Sequence, residues 1–183
     1  LTVLPRKHFG EKDAELNTWI REQTEDSNTV VELGAAMGAR LMKCRAQARK
    51  IAIEVFPAYA SQCPVDIRCV WGDMRNWERW ITPSESDTAM LIDSIEHVSK
   101  SDGIDLILSL QSRFRKILVF TPDGFYIQTE DTTGFENEFQ THECGWTAPE
   151  LEALGFKAHV DPIFHNINGH ELGGAIFAVW ERA

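Results

Sequence analysis

Positive charge is scarce in this sequence: 18 lysines and arginines stand against 28 aspartates and glutamates, and the net charge is −10. Proteins that grip nucleic acid through its phosphates present a basic face. The balance therefore argues against a DNA or RNA substrate and against docking on an anionic membrane. Long apolar runs are also missing, and no stretch approaches the roughly 20 residues that span a bilayer. The opening segment, Leu1-Thr2-Val3-Leu4-Pro5-Arg6, lacks the layout of a signal peptide. It begins without Met and reads as a trimmed end. With neither a membrane-length run nor a signal-peptide layout, a cytoplasmic location is the default expectation. The four cysteines, Cys44, Cys63, Cys69 and Cys144, form no C-x-x-C pair. A finger-type zinc site is excluded on that pattern. In a chain of 183 residues they read as reduced core thiols.

Two phosphate-binding signatures are absent as well. No Gly-Lys-Ser/Thr follows a glycine-rich turn, which excludes a Walker A loop. The one candidate turn, Gly34-Ala35-Ala36-Met37-Gly38, lacks the three-glycine spacing that seats a dinucleotide pyrophosphate.

What remains is an ordinary globular composition, 43% apolar and 25% charged, of a length that suits a single domain over 1–183. Apolar periodicity predicts an amphipathic helix over Lys12 to Gln23, within an N-terminal portion 1–28. Short β-branched runs predict strands at Thr29–Leu33, Ile51–Val55, Val65–Val70, Thr88–Asp93 and Ile117–Phe120. Helices are expected at about Ala39–Arg49, from Pro57, over Asp102–Gln111 and over Ala148–Leu154. Two last strands, Lys157–Val160 and Gly174–Trp180, flank turn residues at Asn166-Ile167-Asn168-Gly169. Strands alternating with helices and closing in a hairpin predict a doubly wound, Rossmann-like α/β fold. Its sheet would be seven-stranded and mostly parallel, with an antiparallel C-terminal edge hairpin. The stretch 124–147 breaks the pattern and is long for a connection, which suggests a lid or substrate loop.

Ligands of open α/β sheets sit beyond the carboxyl ends of the strands. Gly34 to Gly38 follows the first strand there, and a helix after it would aim its amides at the ligand. Glu54, about twenty residues on at the end of the second strand, is placed to accept hydrogen bonds from the two hydroxyls of a ribose.

These residues resemble the class I S-adenosylmethionine-dependent methyltransferases. Glu32-Leu33-Gly34-Ala35-Ala36-Met37-Gly38 is similar to the family's E-x-G-x-G-x-G motif, with Ala36 in place of the middle glycine. Gly72-Asp73-Met74 resembles the third-strand ending, and Asp93-Ser94-Ile95-Glu96-His97 the fourth-strand D-x-x-E-H segment. The fifth strand through Gly124 and the late Leu154-Gly155-Phe156 follow in family order. The resemblance implies S-adenosylmethionine as cofactor, with Glu32, Gly34, Ala36, Gly38, Glu54, Asp73, Met74 and Asp93 around it. Trp77 follows closely enough to stack near the adenine.

Methyl transfer from a sulfonium needs alignment of the nucleophile and, for a hydroxyl, removal of a proton. His97 and His142 are the candidate bases; His97 has a second reading, support of the fold after the fourth strand. His8, His159, His165 and His170 read as surface or turn residues. Neither an N-P-P-Y nor a Pro-Cys motif is present, which argues against amino- or C5-directed chemistry on nucleic-acid bases. No metal is expected, because no Asp-Asn pair follows the fifth strand; a metal held with Asp123 beside Asp93 is the outside alternative. Phe125, Tyr126, Phe135, Phe139 and Trp146 either line an apolar acceptor pocket or pin the long loop to the sheet. The expectation is therefore methyl transfer to a small-molecule acceptor, O-directed ahead of N- or C-directed. A methyltransferase-like module without catalysis is the alternative, and a nicotinamide-dependent oxidoreductase stands third. The sequence carries no signal of oligomeric state.

Overall fold

The computed structural model describes residues 6–128, 136–165 and 173–183, with side chains from residue 12 onward. The expected turn at 166–169 lies outside the described residues, as do Phe135, His170 and the His8 side chain. Seven strands form one sheet: β1 (Thr29–Leu33), β2 (Arg49–Glu54), β3 (Arg68–Trp71), β4 (Thr88–Ile92), β5 (Lys116–Pro122), β6 (Lys157–Asp161) and β7 (Ala175–Glu181). Their order is β3-β2-β1-β4-β5-β7-β6. The first five run parallel, and β7 pairs antiparallel with both β5 and β6. The order reverses between β1 and β4, which opens a crevice at their carboxyl ends.

The central strands are apolar runs because both of their faces are covered; β1, β4 and β5 are buried along their full lengths. Alternate side chains divide between two cores. On one face, Leu16 and Ile20 of α1 (Arg6–Gln23) pack with Val30, Ala52, Met90 and Leu118. On the other, Leu106, Ile107 and Leu110 of α3 (Lys100–Arg113) meet Val31, Ile51, Leu91 and Val119. Leu151 of α4 (Ala148–Ala153) extends that second core. The short α2 (Pro57–Ala60) connects β2 toward β3.

The helix expected at 39–49 does not form. A three-residue 3-10 turn, Leu41–Lys43, stands in its place, and β2 already begins at Arg49. The reason is occupancy. Helix α1 lies over this face of the sheet, and Leu41, Cys44 and Ala48 join the same core as Leu16 and Ile20. Few residues are left for a helix that would have to turn back into β2. The third strand starts three residues later than expected, because Pro64 to Ile67 makes a turn that leaves Val65 99% exposed.

Part of the expected lid is anchored. The Glu143 and Cys144 amides donate to the Glu96 carbonyl at 2.8 and 3.2 Å. Trp146 is buried, bridges Asp123 and Gly124, and carries the Lys100 ammonium over its ring at 3.9 Å. Residues 129–135 of that stretch lie outside the described residues.

Candidate active site

A cavity of about 790 Å³ opens at the crevice between β1 and β4. Gly34, Ala36, Glu54, Asp73, Met74, Asp93 and His97 all line it, as do Glu32 and Arg40. Gly38 is not among the lining residues. It ends the turn instead, with φ +76° and its amide donating to the Ala35 carbonyl at 2.8 Å.

The loop after β1 is held by backbone geometry. Gly34 has φ +73°, and a Cβ there would stand 2.7 Å from the Ser94 Cβ, so only glycine fits without displacement. Ala36 also adopts a left-handed conformation, φ 47°, which a residue with a Cβ seldom does. Glu54 explains why it holds. One carboxylate oxygen accepts from the Ala36 amide at 2.8 Å and the other from the Phe56 amide at 2.7 Å. The acid at the end of β2 thus ties the loop to the next strand, and its spare lone pairs remain for a ligand. Burial raises its pKa, while the amides at Phe56 and Ala36 pull it back.

Glu32 is different in kind. It is only 2% exposed, and its Oε2 has no hydrogen-bond partner among the described residues. Burial pushes its pKa up to about 8, against the pull of Arg40. A buried carboxyl with an open oxygen on the wall of a cavity gains most by ionising against an arriving ammonium.

Asp73 caps the 3-10 segment Met74–Arg79 by accepting from the Arg75 amide. Its oxygens also receive the Arg75 guanidinium at 2.6 to 3.1 Å. Burial acts to raise Asp73, but the Arg75 bonds hold it below the ordinary carboxylate range. Met74, beside it, is nearly buried against the loop. Trp77, expected near the adenine, does not line the cavity. It is 1% exposed, packs on Phe114 at 5.2 Å and under Arg113, and donates to Ser109 Oγ at 3.2 Å. Its spacing from Asp73 suits a ligand contact, but the large apolar ring is taken by the core.

At the end of β4 a second group of side chains gathers. Asp93 has φ 47°, and its side chain opens into the cavity, although the surrounding protein pushes its pKa up to about 6. Glu96 is 2% exposed and accepts from Thr121 Oγ1 at 3.1 Å. Burial and the Asp93 charge push it up to about 8. The rings of His97 and His142 meet edge to face, with centroids 4.8 Å apart. His97 Nδ1 donates to the Thr141 carbonyl at 3.1 Å and His142 Nδ1 to the Tyr126 carbonyl at 2.8 Å. A carbonyl only accepts, so each Nδ1 carries the proton and each Nε2 keeps its lone pair. Burial lowers both histidine pKa values, which favours the neutral form. One ligand atom from each of Glu96, His97 and His142 lies within 4.8 Å of the others.

Two histidines and a carboxylate in this arrangement suit a divalent metal, with the backbone carbonyls fixing the rings from behind. His97 and His142 are 45 positions apart, and read singly each is a candidate base; the pairing of 143–144 with Glu96 and the His97–Thr141 bond bring them together. Of the loop aromatics, Trp146 pins the chain, whereas Phe139 lines the cavity at 43% exposure. His165 is half-buried against Phe164 and Phe120 rather than free on the surface. All four cysteines are free thiols.

No family model matches the chain, and no curated relative matches it. Solved structures do. A SAM-dependent methyltransferase from Archaeoglobus fulgidus superposes with a TM-score of 0.69 at 14% identity, over 95% of this chain and 94% of that one. The plantazolicin methyltransferase BamL, in complex with a triazolic desmethylPZN analog and SAH, gives 0.65 at 10% identity, over 92% and 83%. The small RNA methyltransferase HEN1 gives 0.62 at 13% identity, over 93% of this chain but only 25% of HEN1. At these identities the likeness is one of fold, and the chain has the Rossmann-like fold of the SAM-dependent methyltransferases.

Proposed function

We propose that the cavity binds S-adenosylmethionine and that the chain transfers its methyl group to a hydroxyl of a small acceptor. One observation carries the reading: the same cavity is lined by the glycine loop and Glu54 at one end and by His97 at the other. Cofactor and acceptor would share one space, as direct displacement at a sulfonium carbon requires. Glu54 would take the ribose hydroxyls, Asp73 and Met74 would flank the adenine, and Glu32 would accept the ammonium of the amino-acid tail. Glu32's open oxygen and the close approach that Gly34 permits both fit that molecule. The bound SAH of BamL, on the same fold, supports the choice of cofactor.

A divalent cation suits Glu96, His97 and His142, and its charge would favour loss of the proton from an acceptor hydroxyl. Asp93, in the cavity beside them, would hold or receive that proton. Phe139 would give the acceptor an apolar wall. A hydroxyl with a second oxygen beside it, as in a vicinal diol or a catechol, is the acceptor class such a site orients best. The likeness to HEN1 favours a second reading, an RNA acceptor, and the net charge of −10 weighs against it.

Calorimetry with SAH tests the cofactor, and absence of binding at millimolar ligand would sink the reading. Glu54→Gln is expected to weaken SAH roughly tenfold and to cost about 1–3 kcal/mol of stability, because one backbone amide loses its acceptor. Radiolabelled methyl transfer to catechols, diols and RNA oligonucleotides, with Mg²⁺ or Mn²⁺ against EDTA, then separates the acceptors. Transfer to RNA alone would overturn the small-molecule assignment.

A further inference from the structure

The cavity carries a marked excess of acid. Asp13, Glu32, Glu54, Asp73, Asp93, Asp102 and Glu143 line it, against Arg40, Lys43 and Arg75. Arg75 is consumed, because its guanidinium bonds Asp73 and Asp102. An amino-acid tail brings a carboxylate as well as an ammonium, and its carboxylate needs a cation among these acids. A helix after the glycine loop would present amides to it. Here that helix is replaced by the turn at Leu41–Lys43, which is too short to do so.

Arg40 opens that turn. Its Nη1 bonds Asp13 Oδ1 at 2.6 Å and Asn17 Oδ1 at 2.8 Å. Asn17 in turn donates to Asp13 Oδ2 at 2.9 Å. Asp13 and Asn17 are one helical turn apart on α1 and so share a face. They hold the guanidinium by a single nitrogen. The Nε–Nη2 edge makes no hydrogen bond among the described residues, and that edge matches a carboxylate in a two-point contact. The Arg40 charge also bears on both Glu32 and Asp93, which places it beside the acid proposed for the ammonium.

We infer that Arg40, positioned by Asp13 and Asn17 of α1, is the binding residue for the carboxylate of the cofactor's amino-acid tail. The inference rests on the S-adenosylmethionine reading. It makes α1 a wall of the cofactor site, in place of the missing helix. The chain then reads the tail with two residues of opposite sign, Glu32 for the ammonium and Arg40 for the carboxylate.

Three ligands separate this from the parent reading: SAH, its decarboxylated analogue S-adenosyl-3-thiopropylamine, and 5′-methylthioadenosine, which lacks the whole tail. Calorimetry at low salt should show the wild type preferring SAH over the decarboxylated analogue by roughly 10- to 100-fold. Arg40→Ala should abolish that preference and leave methylthioadenosine affinity within about twofold. Arg40→Lys should retain part of the preference, since it keeps the charge and loses the fork. Asp13→Ala should reduce it by less than Arg40→Ala does. No preference in the wild type, or one that survives in Arg40→Ala, overturns the inference while SAH binding stands. Should Arg40→Ala fail to fold, the wild-type ratio and Arg40→Lys decide. Failure of the wild type to bind all three ligands would remove the cofactor reading and this inference together.

Discussion

At the ends of β1 and β2 the cavity is framed by a glycine loop whose backbone is tied to Glu54, and at the end of β4 by a cluster of titratable side chains that reaches it through Asp93 and His97. The first half owes its shape to left-handed residues at 34 and 36, fixed by two amides that end on Glu54. The second owes its shape to Glu96, His97 and His142, whose rings are aimed by carbonyls of the loop after β5. A backbone cradle costs no reorganisation when a ligand arrives, which suits a cofactor that returns in every cycle. Side chains that change charge suit the step in which a proton moves. The contrast teaches that binding and chemistry are separable here, and each half can be damaged without the other.

The largest effect is expected where that separation is sharpest. His97→Ala removes one of three ligand atoms and Glu96→Gln the one anionic ligand charge, and each should weaken Mn²⁺ binding by about 100-fold, read from the spin-resonance signal of free Mn²⁺. SAH affinity in the same proteins should stay within about twofold. A matching loss of SAH affinity would mean that the two halves act as one unit and would end the comparison.

The two halves also differ in how far they are legible from sequence. The central strands β1, β4 and β5 follow from short β-branched or apolar runs, since central parallel strands are apolar on both faces. Gly34 and Glu54 are readable because strand ends fix their positions, and the sheet order then brings both to one crevice. The empty place after Gly38 is not readable in the same way. Arg40 to Arg49 has helix-forming residues, but α1, a distant segment in sequence, already covers that face. Trp77 misleads for a related reason: a large ring near a motif is claimed by whichever core lies beneath it. The Glu96, His97 and His142 grouping depends on the Glu96 carbonyl receiving two amides from 143–144, a contact with no local pattern.

A smaller effect tests the buried acid on the cofactor side. Glu32 titrates near 8 in the folded protein, above its ordinary value of 4.5. A raised carboxyl favours the fold while protonated, so its contribution is complete below about 4.5 and is lost as pH rises toward 8. Burial sets this first; Arg40 and the Leu41 amide pull against it, and the charges of Glu54 and Asp93 add to it. Glu32's contribution to thermal stability should therefore fall between pH 5 and pH 8, against the opposite slope of the buried His97, His142 and His165, and Glu32→Gln should remove that fall. Glu96, raised in the same direction, supplies slope that remains in the variant. An unchanged slope in Glu32→Gln would show that its open oxygen is not an ionising group at all.

The smallest effect bears on the residue that departs from the family's glycine pattern. Ala36 holds φ 47° with its amide accepted by Glu54 and the flanking Ala35 amide by the Ile53 carbonyl. Glycine there would remove the steric cost of a left-handed alanine, about 1 kcal/mol, and would add back some freedom to the unfolded chain. Ala36→Gly is thus expected to raise stability by less than about 1 kcal/mol in urea unfolding. SAH affinity should change by about twofold at most, because the amide that meets Glu54 is present in either residue. A large gain in affinity would mean that the Ala36 methyl intrudes on the ligand. The backbone cradle would then be a compromise, set by a side chain after all.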